Sequence, residues 1–166
     1  MSRAFVKEND LEHAGIDIPE RPISSEKNYV TPCGYKELEE KILILEEERT
    51  KASRNTDSIY KQKKMQLERE LRYFINRLES SILVNPQEQD NNKVLFSASV
   101  DVENELGEIL KFQIVGEDEA NIKINKIAYN SPLAKALIGN AVDDEVVWMK
   151  PTGSEILTIV KIQYKL

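Results

Sequence analysis

The amino-acid sequence predicts an α+β protein, in which an antiparallel α-helical coiled-coil hairpin precedes a bent antiparallel β-sheet with one short helix. Three observations support this prediction. Apolar residues repeat at heptad spacing in two runs, one on each side of a polar cluster at residues 52–57. From Lys93 onward the apolar period changes to 2, which is typical of strands. A Ser-Pro pair at residues 131–132 marks a helix start.

The first predicted helix opens at Thr31-Pro32 and runs to about Lys51. Its seam residues are Tyr35, Leu38, Ile42 and Leu45. The second helix carries a matching seam formed by Tyr60, Leu67, Leu71, Phe74 and Leu78. Two seams joined by a short polar link predict a hairpin. We therefore assign residues 1–29 to a polar N-terminal extension, 30–85 to the hairpin, 86–92 to a linker and 93–166 to the C-terminal domain.

The C-terminal domain is expected to contain five strands, near residues 94–100, 109–115, 122–129, 145–149 and 156–164. Ser131 is expected to cap the short helix, Pro132 to take its first position, and Gly139 to end it in a left-handed conformation. Two exposed corners flank the third strand. We call residues 117–119 the acidic corner and residues 130–132 the prolyl corner.

Composition excludes several classes of protein. The formal net charge of -6 over 166 residues argues against a general nucleic-acid binder. The sequence has one cysteine, Cys33, and one histidine, His13, which we expect to be exposed to solvent. One cysteine cannot form an internal disulfide, and we expect no zinc site. No apolar run reaches the length that spans a bilayer, and no apolar signal segment is found, so we expect a cytoplasmic protein.

Residues 49–72 form a locally basic segment, with 8 basic and 3 acidic residues. Its second half supplies a basic face on the second helix, composed of Lys61, Lys63, Lys64, Arg69 and Arg72. One interpretation pairs these side chains with glutamates 46–48 of the first helix across the hairpin. In the other, they face RNA or an acidic partner surface.

The motifs IVGEDEA at residues 114–120 and SPLAKAL at residues 131–137 resemble the C-terminal domain of the Gre factors GreA and GreB. These bacterial proteins enter the secondary channel of RNA polymerase. The resemblance extends from about Val30 to the C-terminus. It implies an FKBP-like fold for residues 93–166.

The resemblance also implies a docking surface for RNA polymerase, at the channel rim formed by its largest subunit. The matching positions in this sequence are Asp118, Glu119, Asn130, Ser131, Pro132 and Ala134. We expect no membrane partner, no sequence-specific nucleic acid, and a monomeric protein.

The hairpin tip departs from the family pattern. In Gre factors the tip delivers carboxylates that help to hold a second Mg²⁺ during RNA cleavage by the polymerase. Here the tip residues are Lys51, Arg54, Asn55 and Asp57, with basic residues where acids are expected. The arm is also roughly 15 residues shorter than in the family, which removes about 10 Å of reach. We expect no catalytic residue and no cofactor of its own, since any Mg²⁺ would belong to the polymerase.

The sequence therefore predicts a Gre-like regulator of elongation or initiation that binds the polymerase without stimulating cleavage. Three alternatives stay open. The first is an active cleavage factor that uses rearranged acids such as Asp57. The second is a dimerising coiled-coil scaffold, and the third is a prolyl isomerase, which is suggested only by the implied FKBP-like fold. The isomerase would need a pocket lined by aromatic residues from the set Phe96, Phe112, Tyr129, Trp148 and Tyr164.

Overall fold

The computed structural model describes residues 18–165. The predictions made for residues 1–17, including that for His13, lie outside this range. The helices and strands, in chain order, are β1 (Tyr29–Val30), α1 (Pro32–Ser53), α2 (Ser58–Glu79), β2 (Ile82–Leu83), β3 (Ser99–Asn104), β4 (Ile109–Val115), β5 (Lys126–Ala128), α3 (Pro132–Leu137), β6 (Glu145–Lys150) and β7 (Gly153–Gln163). Two short 3-10 helices lie at Pro86–Glu88 and Ile122–Ile124.

The chain divides into two compact units. The described part of the first, which we call the hairpin unit, consists of residues 18–24 and 41–76. The described part of the second, the sheet unit, consists of residues 25–40 and 77–165. The predicted boundaries at residues 29/30 and 85/86 therefore differ from those of the two units.

The hairpin unit is held together by the predicted heptad seam. Leu45, Ala52, Leu67 and Leu71 are buried, and Ile42 and Phe74 pack against them. Tyr60, which was also placed on the seam, is 39% exposed. Ala52 takes the buried position nearest the tip instead. The seam residues pack against each other within one chain and form the core of this unit.

The sheet unit contains a five-stranded sheet with the order β5-β4-β3-β7-β6. Three of its pairings are antiparallel, but β4 and β5 are parallel, so the sheet is mixed rather than wholly antiparallel as predicted. A separate parallel pair joins β1 to β2. Residues 29–30, which border the predicted N-terminal extension, therefore belong to a strand of this unit.

Two predicted strands are shorter than expected. Residues 94–98 do not form a strand. Val94 instead exchanges backbone hydrogen bonds with residues 139 and 140, and Ser97 adopts a left-handed conformation with φ 73°. Residues 122–125 form a 3-10 turn that ends at Asn125, also left-handed, before β5 begins. At residues 94–98 the alternation of apolar residues reflects burial of an irregular segment and not a pleated strand. Ile122 and Ile124, in contrast, are exposed on the 3-10 turn.

The core of the sheet unit lies between one face of the sheet and α3. Its fully buried residues include Val100 and Val102 of β3, Leu157 and Ile159 of β7, and Leu137 of α3. The five aromatic residues proposed for an isomerase pocket are partly buried and pack against this core, namely Phe96, Phe112, Tyr129, Trp148 and Tyr164. Across residues 18–165, no helix is both long and apolar enough to cross a membrane.

Candidate polymerase-docking site

The prolyl corner forms as the sequence predicts. The Ser131 hydroxyl accepts a hydrogen bond from the backbone N–H of Ala134 at 3.3 Å, and Pro132 occupies the first turn of α3. Pro132 is exposed, and Asn130 and Ser131 are half-buried. Ala134, in contrast, is fully buried in the core. The side chains that the corner offers to solvent are therefore those of residues 130–132.

The acidic corner is not an exposed charge patch, which corrects the expectation from the sequence. Arg77, at the end of α2, is 1% exposed. Its Nε donates to Asp118 Oδ2 at 2.5 Å, and its Nη2 donates to Glu117 Oε2 at 3.0 Å. A buried guanidinium requires such partners because an unpaired charge in the interior is strongly unfavourable. Two of the three carboxylates therefore serve as counterions of Arg77.

Glu119 is the most enclosed carboxylate of the acidic corner, with a side chain only 2% exposed. Its Oε2 accepts a hydrogen bond from the Thr31 hydroxyl at 2.6 Å, and its Oε1 accepts one from Lys126 Nζ at 3.0 Å. Gly34 makes this position possible, since a Cβ at residue 34 would lie 2.5 Å from Glu119 Oε2. Glu119 thus links the start of α1 to β5 inside the sheet unit.

Lys126 supplies the cation of this small cluster. Burial of its ammonium opposes the charged form, but the hydrogen bond and charge of Glu119, together with Glu37 at 3.8 Å, outweigh that effect and raise the pKa of Lys126. Cys33 lies beside Glu37, and burial and that carboxylate raise the pKa of its thiol. Potential ligand atoms of Cys33, Glu37 and Glu119 lie within 4.8 Å of one another. Because Lys126 contacts both carboxylates, the arrangement suits an ammonium better than a metal ion.

The predicted tip residues lie together at the end of the hairpin unit, and all of them are exposed: Lys51, Arg54, Asn55 and Asp57. Lys51, Arg54 and Asn55 line a shallow groove there, together with Glu48, Lys63 and Tyr60. Asp57 accepts backbone hydrogen bonds from residues 60 and 61 through its carbonyl oxygen, at the start of α2. The groove thus contains one acidic and three basic side chains.

The basic face of α2 uses other partners than the glutamates at 46–48 that one interpretation gave it. Among described residues, Lys64 pairs with Glu68 at 3.9 Å, and Arg69 with Glu70 at 3.5 Å, both within α2. Arg72 forms a two-pronged contact with Glu20, which lowers the pKa of that carboxyl through the hydrogen bond to Arg72. No ion pair of Lys61 or Lys63 is found within residues 18–165, and both are exposed.

Comparison with known proteins identifies the family. The family model described as "Transcription elongation factor, GreA/GreB, C-term" matches residues 88–164. The chain is 35% identical over 155 residues to transcription elongation factor GreB of Haemophilus ducreyi, an alignment that covers 84% of this chain and 96% of that protein. The chain belongs to the GreA/GreB family. It is also 36% identical to GreB of Yersinia pestis, with 85% of this chain and 91% of that protein covered.

Among solved structures, GreA factor homolog 1 of Thermus thermophilus shares 24% identity with this Gre-family chain. The superposition covers 83% of this chain and 99% of that one, with a TM-score of 0.40.

Sequence reasoning found both corners of this Gre-family protein but missed the residues that support them. No sequence pattern assigns a role to Arg77, which lies between two predicted seam positions. The sequence predicts only a helix start at Thr31 and a strand residue at Lys126. The one usable signal was the basic residue at 77 on the inward side of the helix. A charged residue at a core-facing position requires a buried counterion.

Proposed function

We propose that this Gre-family factor docks on RNA polymerase at the rim of the secondary channel and modulates elongation or initiation without stimulating RNA cleavage. The observation that carries the proposal is the hairpin tip, where exposed Lys51 and Arg54 lie in a groove with Lys63 and only one acid, Glu48. Mg²⁺ prefers carboxylate and water oxygens, and basic side chains repel it. A tip of this composition is poorly suited to recruit a second metal ion.

The length of the arm supports the same proposal. Helices α1 and α2 each have 22 residues, which corresponds to about 33 Å at ~1.5 Å rise per residue. The alignment with the Haemophilus ducreyi protein spans 155 positions but only 84% of the 166 residues here, about 139, so about 16 positions have no residue in this chain. That shortfall agrees with an arm about 15 residues shorter.

The docking contact itself is proposed for the prolyl corner. Asn130, Ser131 and Pro132 present side chains to solvent, whereas the side chains of Asp118 and Glu119 are 9% and 2% exposed. The two carboxylates and the buried Ala134 then have internal roles and do not touch the polymerase: Asp118 pairs with Arg77, Glu119 pairs with Lys126, and Ala134 packs in the core. The basic face of α2 remains a secondary contact surface in this proposal, with Lys61 and Lys63 the exposed members that carry no described ion pair.

A binding measurement tests the docking assignment. Purified protein is titrated into core RNA polymerase, and the double variant Ser131→Glu with Pro132→Ala is compared with the wild type. The variant should bind more weakly, because it places a charge and removes the rigid ring at the proposed contact. A matched control changes an exposed proline and serine of the β6–β7 turn region, Pro151→Ala with Ser154→Glu, and should bind like the wild type. Equal affinity of the prolyl-corner variant and the wild type would remove this corner from the interface.

The remaining expectations are part of the proposal. The protein acts as a monomer in the cytoplasm, and any Mg²⁺ in its complex belongs to the polymerase. An active cleavage factor using Asp57 is the competing outcome, and it is decided by the length of the RNA in a backtracked complex incubated with this protein.

A further inference from the structure

The carboxylate of Glu117 connects a buried charge to the prolyl corner. One of its oxygens, Oε2, accepts a hydrogen bond from Arg77 Nη2 at 3.0 Å. The other, Oε1, accepts one from the Asn130 side-chain amide at 2.6 Å. Asn130 immediately precedes Ser131, the N-cap of α3. A single side chain therefore joins the end of α2 to the first residue of the proposed docking contact.

Arg77 itself is held in place from several sides. Asp118 Oδ2 accepts from its Nε, and the Asn28 amide donates to its backbone carbonyl at 2.6 Å. Two carboxylates at different nitrogens fix the plane of the guanidinium, since its donors have a rigid fork geometry. A lysine at this position has a single ammonium and cannot reproduce both contacts in the same geometry.

We infer that Arg77 is a positioning residue for polymerase docking, acting through Glu117 on Asn130. At 1% exposure Arg77 cannot touch a partner, so its effect on binding must pass through the side chains that it orients. The acidic corner then has an internal role: its charges orient the prolyl corner and do not attract the polymerase. This inference rests on the docking function proposed above.

The test combines a binding cycle with a local probe. Core RNA polymerase is titrated with the wild type, Arg77→Lys, Asn130→Ala and the double variant. Arg77→Lys should weaken binding roughly tenfold, a size expected for coupled neighbours. In the Asn130→Ala background the same change should cost little further affinity. A second, independent loss in the double variant would overturn the inference, because Arg77 would then act on binding by another route.

Stability is controlled separately. Val102→Ala creates a cavity in the core of the same unit and leaves Arg77, Glu117 and Asn130 intact, so it should lower the unfolding midpoint without changing affinity. If Val102→Ala weakens binding as much as Arg77→Lys does, the effect of Arg77 is general destabilisation and the inference is wrong.

The local probe works without polymerase. In the ¹⁵N NMR spectrum of the free protein, the side-chain amide signal of Asn130 should shift in Arg77→Lys and stay in place in Val102→Ala. An unmoved Asn130 signal overturns the link between Arg77 and Asn130 alone. Failure of the wild type to bind core polymerase overturns the proposed docking function instead, so the two failures are distinguishable.

Discussion

Replacing Ser97 by glycine should stabilise the sheet unit. Ser97 combines two unfavourable features, a left-handed backbone with φ 73° and a buried hydroxyl with no hydrogen-bond partner among the described residues. The left-handed conformation costs an L-residue about 1–2 kcal/mol, and glycine adopts it freely. A buried, unsatisfied hydroxyl costs about 1–3 kcal/mol. Both terms disappear in Ser97→Gly.

Two smaller terms oppose this gain. Glycine increases the conformational freedom of the unfolded chain, worth about 0.4–1 kcal/mol, and loss of the small side chain removes packing worth about 1 kcal/mol. The four terms together leave an expected net gain in the free energy of unfolding of roughly 2 kcal/mol, within a range of about 0–3.6 kcal/mol. Ser97→Ala removes the hydroxyl but keeps the Cβ, with both its strain and its packing, so it should also stabilise the protein, by about 1–3 kcal/mol.

Urea unfolding measures the change in the free energy of unfolding. The fluorescence of Trp148, the single tryptophan, reports on the unit that contains Ser97. Asn125→Gly is a matched control, because Asn125 is also left-handed but is exposed and of a residue type that tolerates that conformation. It should change stability little. A Ser97→Gly variant less stable than the wild type would refute the reasoning, since it would show that the serine side chain contributes more than its strain and burial cost.

Three further predictions concern ionisable side chains that are buried or paired. Glu119→Gln should lower the free energy of unfolding of the sheet unit by about 1.5–3 kcal/mol in urea titrations, because it removes the nearer carboxylate of Lys126 and leaves only Glu37 at 3.8 Å; equal stability would contradict a structural role for Glu119. Raising the pH above about 10 should destabilise the fold, because the pKa values of Lys126 and Tyr164 are raised in the folded state. The folded protein then binds more protons than the unfolded chain, so its free energy of unfolding falls as the pH rises. A free energy of unfolding that is constant up to pH 11 would argue against these shifts. In an NMR titration the pKa of Glu20 should lie below its ordinary value and return toward it in Arg72→Ala; no change in that variant would mean that the contact does not persist in solution.

Local patterns predicted the parts of the fold that depend on neighbouring residues. The hairpin seam follows from heptad spacing, and the N-cap at Ser131 follows from the chemistry of helix starts; both are confirmed. The alternation at residues 94–98 was misleading because burial there is created by pairing with residues 139–140, which no local pattern contains. The parallel pairing of β4 with β5 also depends on the 3-10 turn between them.

The supporting contacts of the candidate site could not be predicted from the sequence, for a different reason. Arg77 lies about 40 residues from its carboxylate partners, and Thr31 lies 88 residues from Glu119. The identity of an acidic turn says nothing about whether its carboxylates face solvent or a buried cation. The sequence therefore located both corners correctly as turns, while their exposure followed only from the three-dimensional contacts.

We propose that this Gre-family protein binds RNA polymerase but does not deliver cleavage. The most direct measurement adds it to backtracked elongation complexes, alone and in competition with a cleavage-active GreB, and follows the length of the RNA. The account predicts that the protein alone leaves the RNA intact and that increasing amounts of it slow the cleavage stimulated by GreB. Shortening of the RNA by the protein alone would contradict the claim, and so would GreB-stimulated cleavage that is unaffected by a large excess of it.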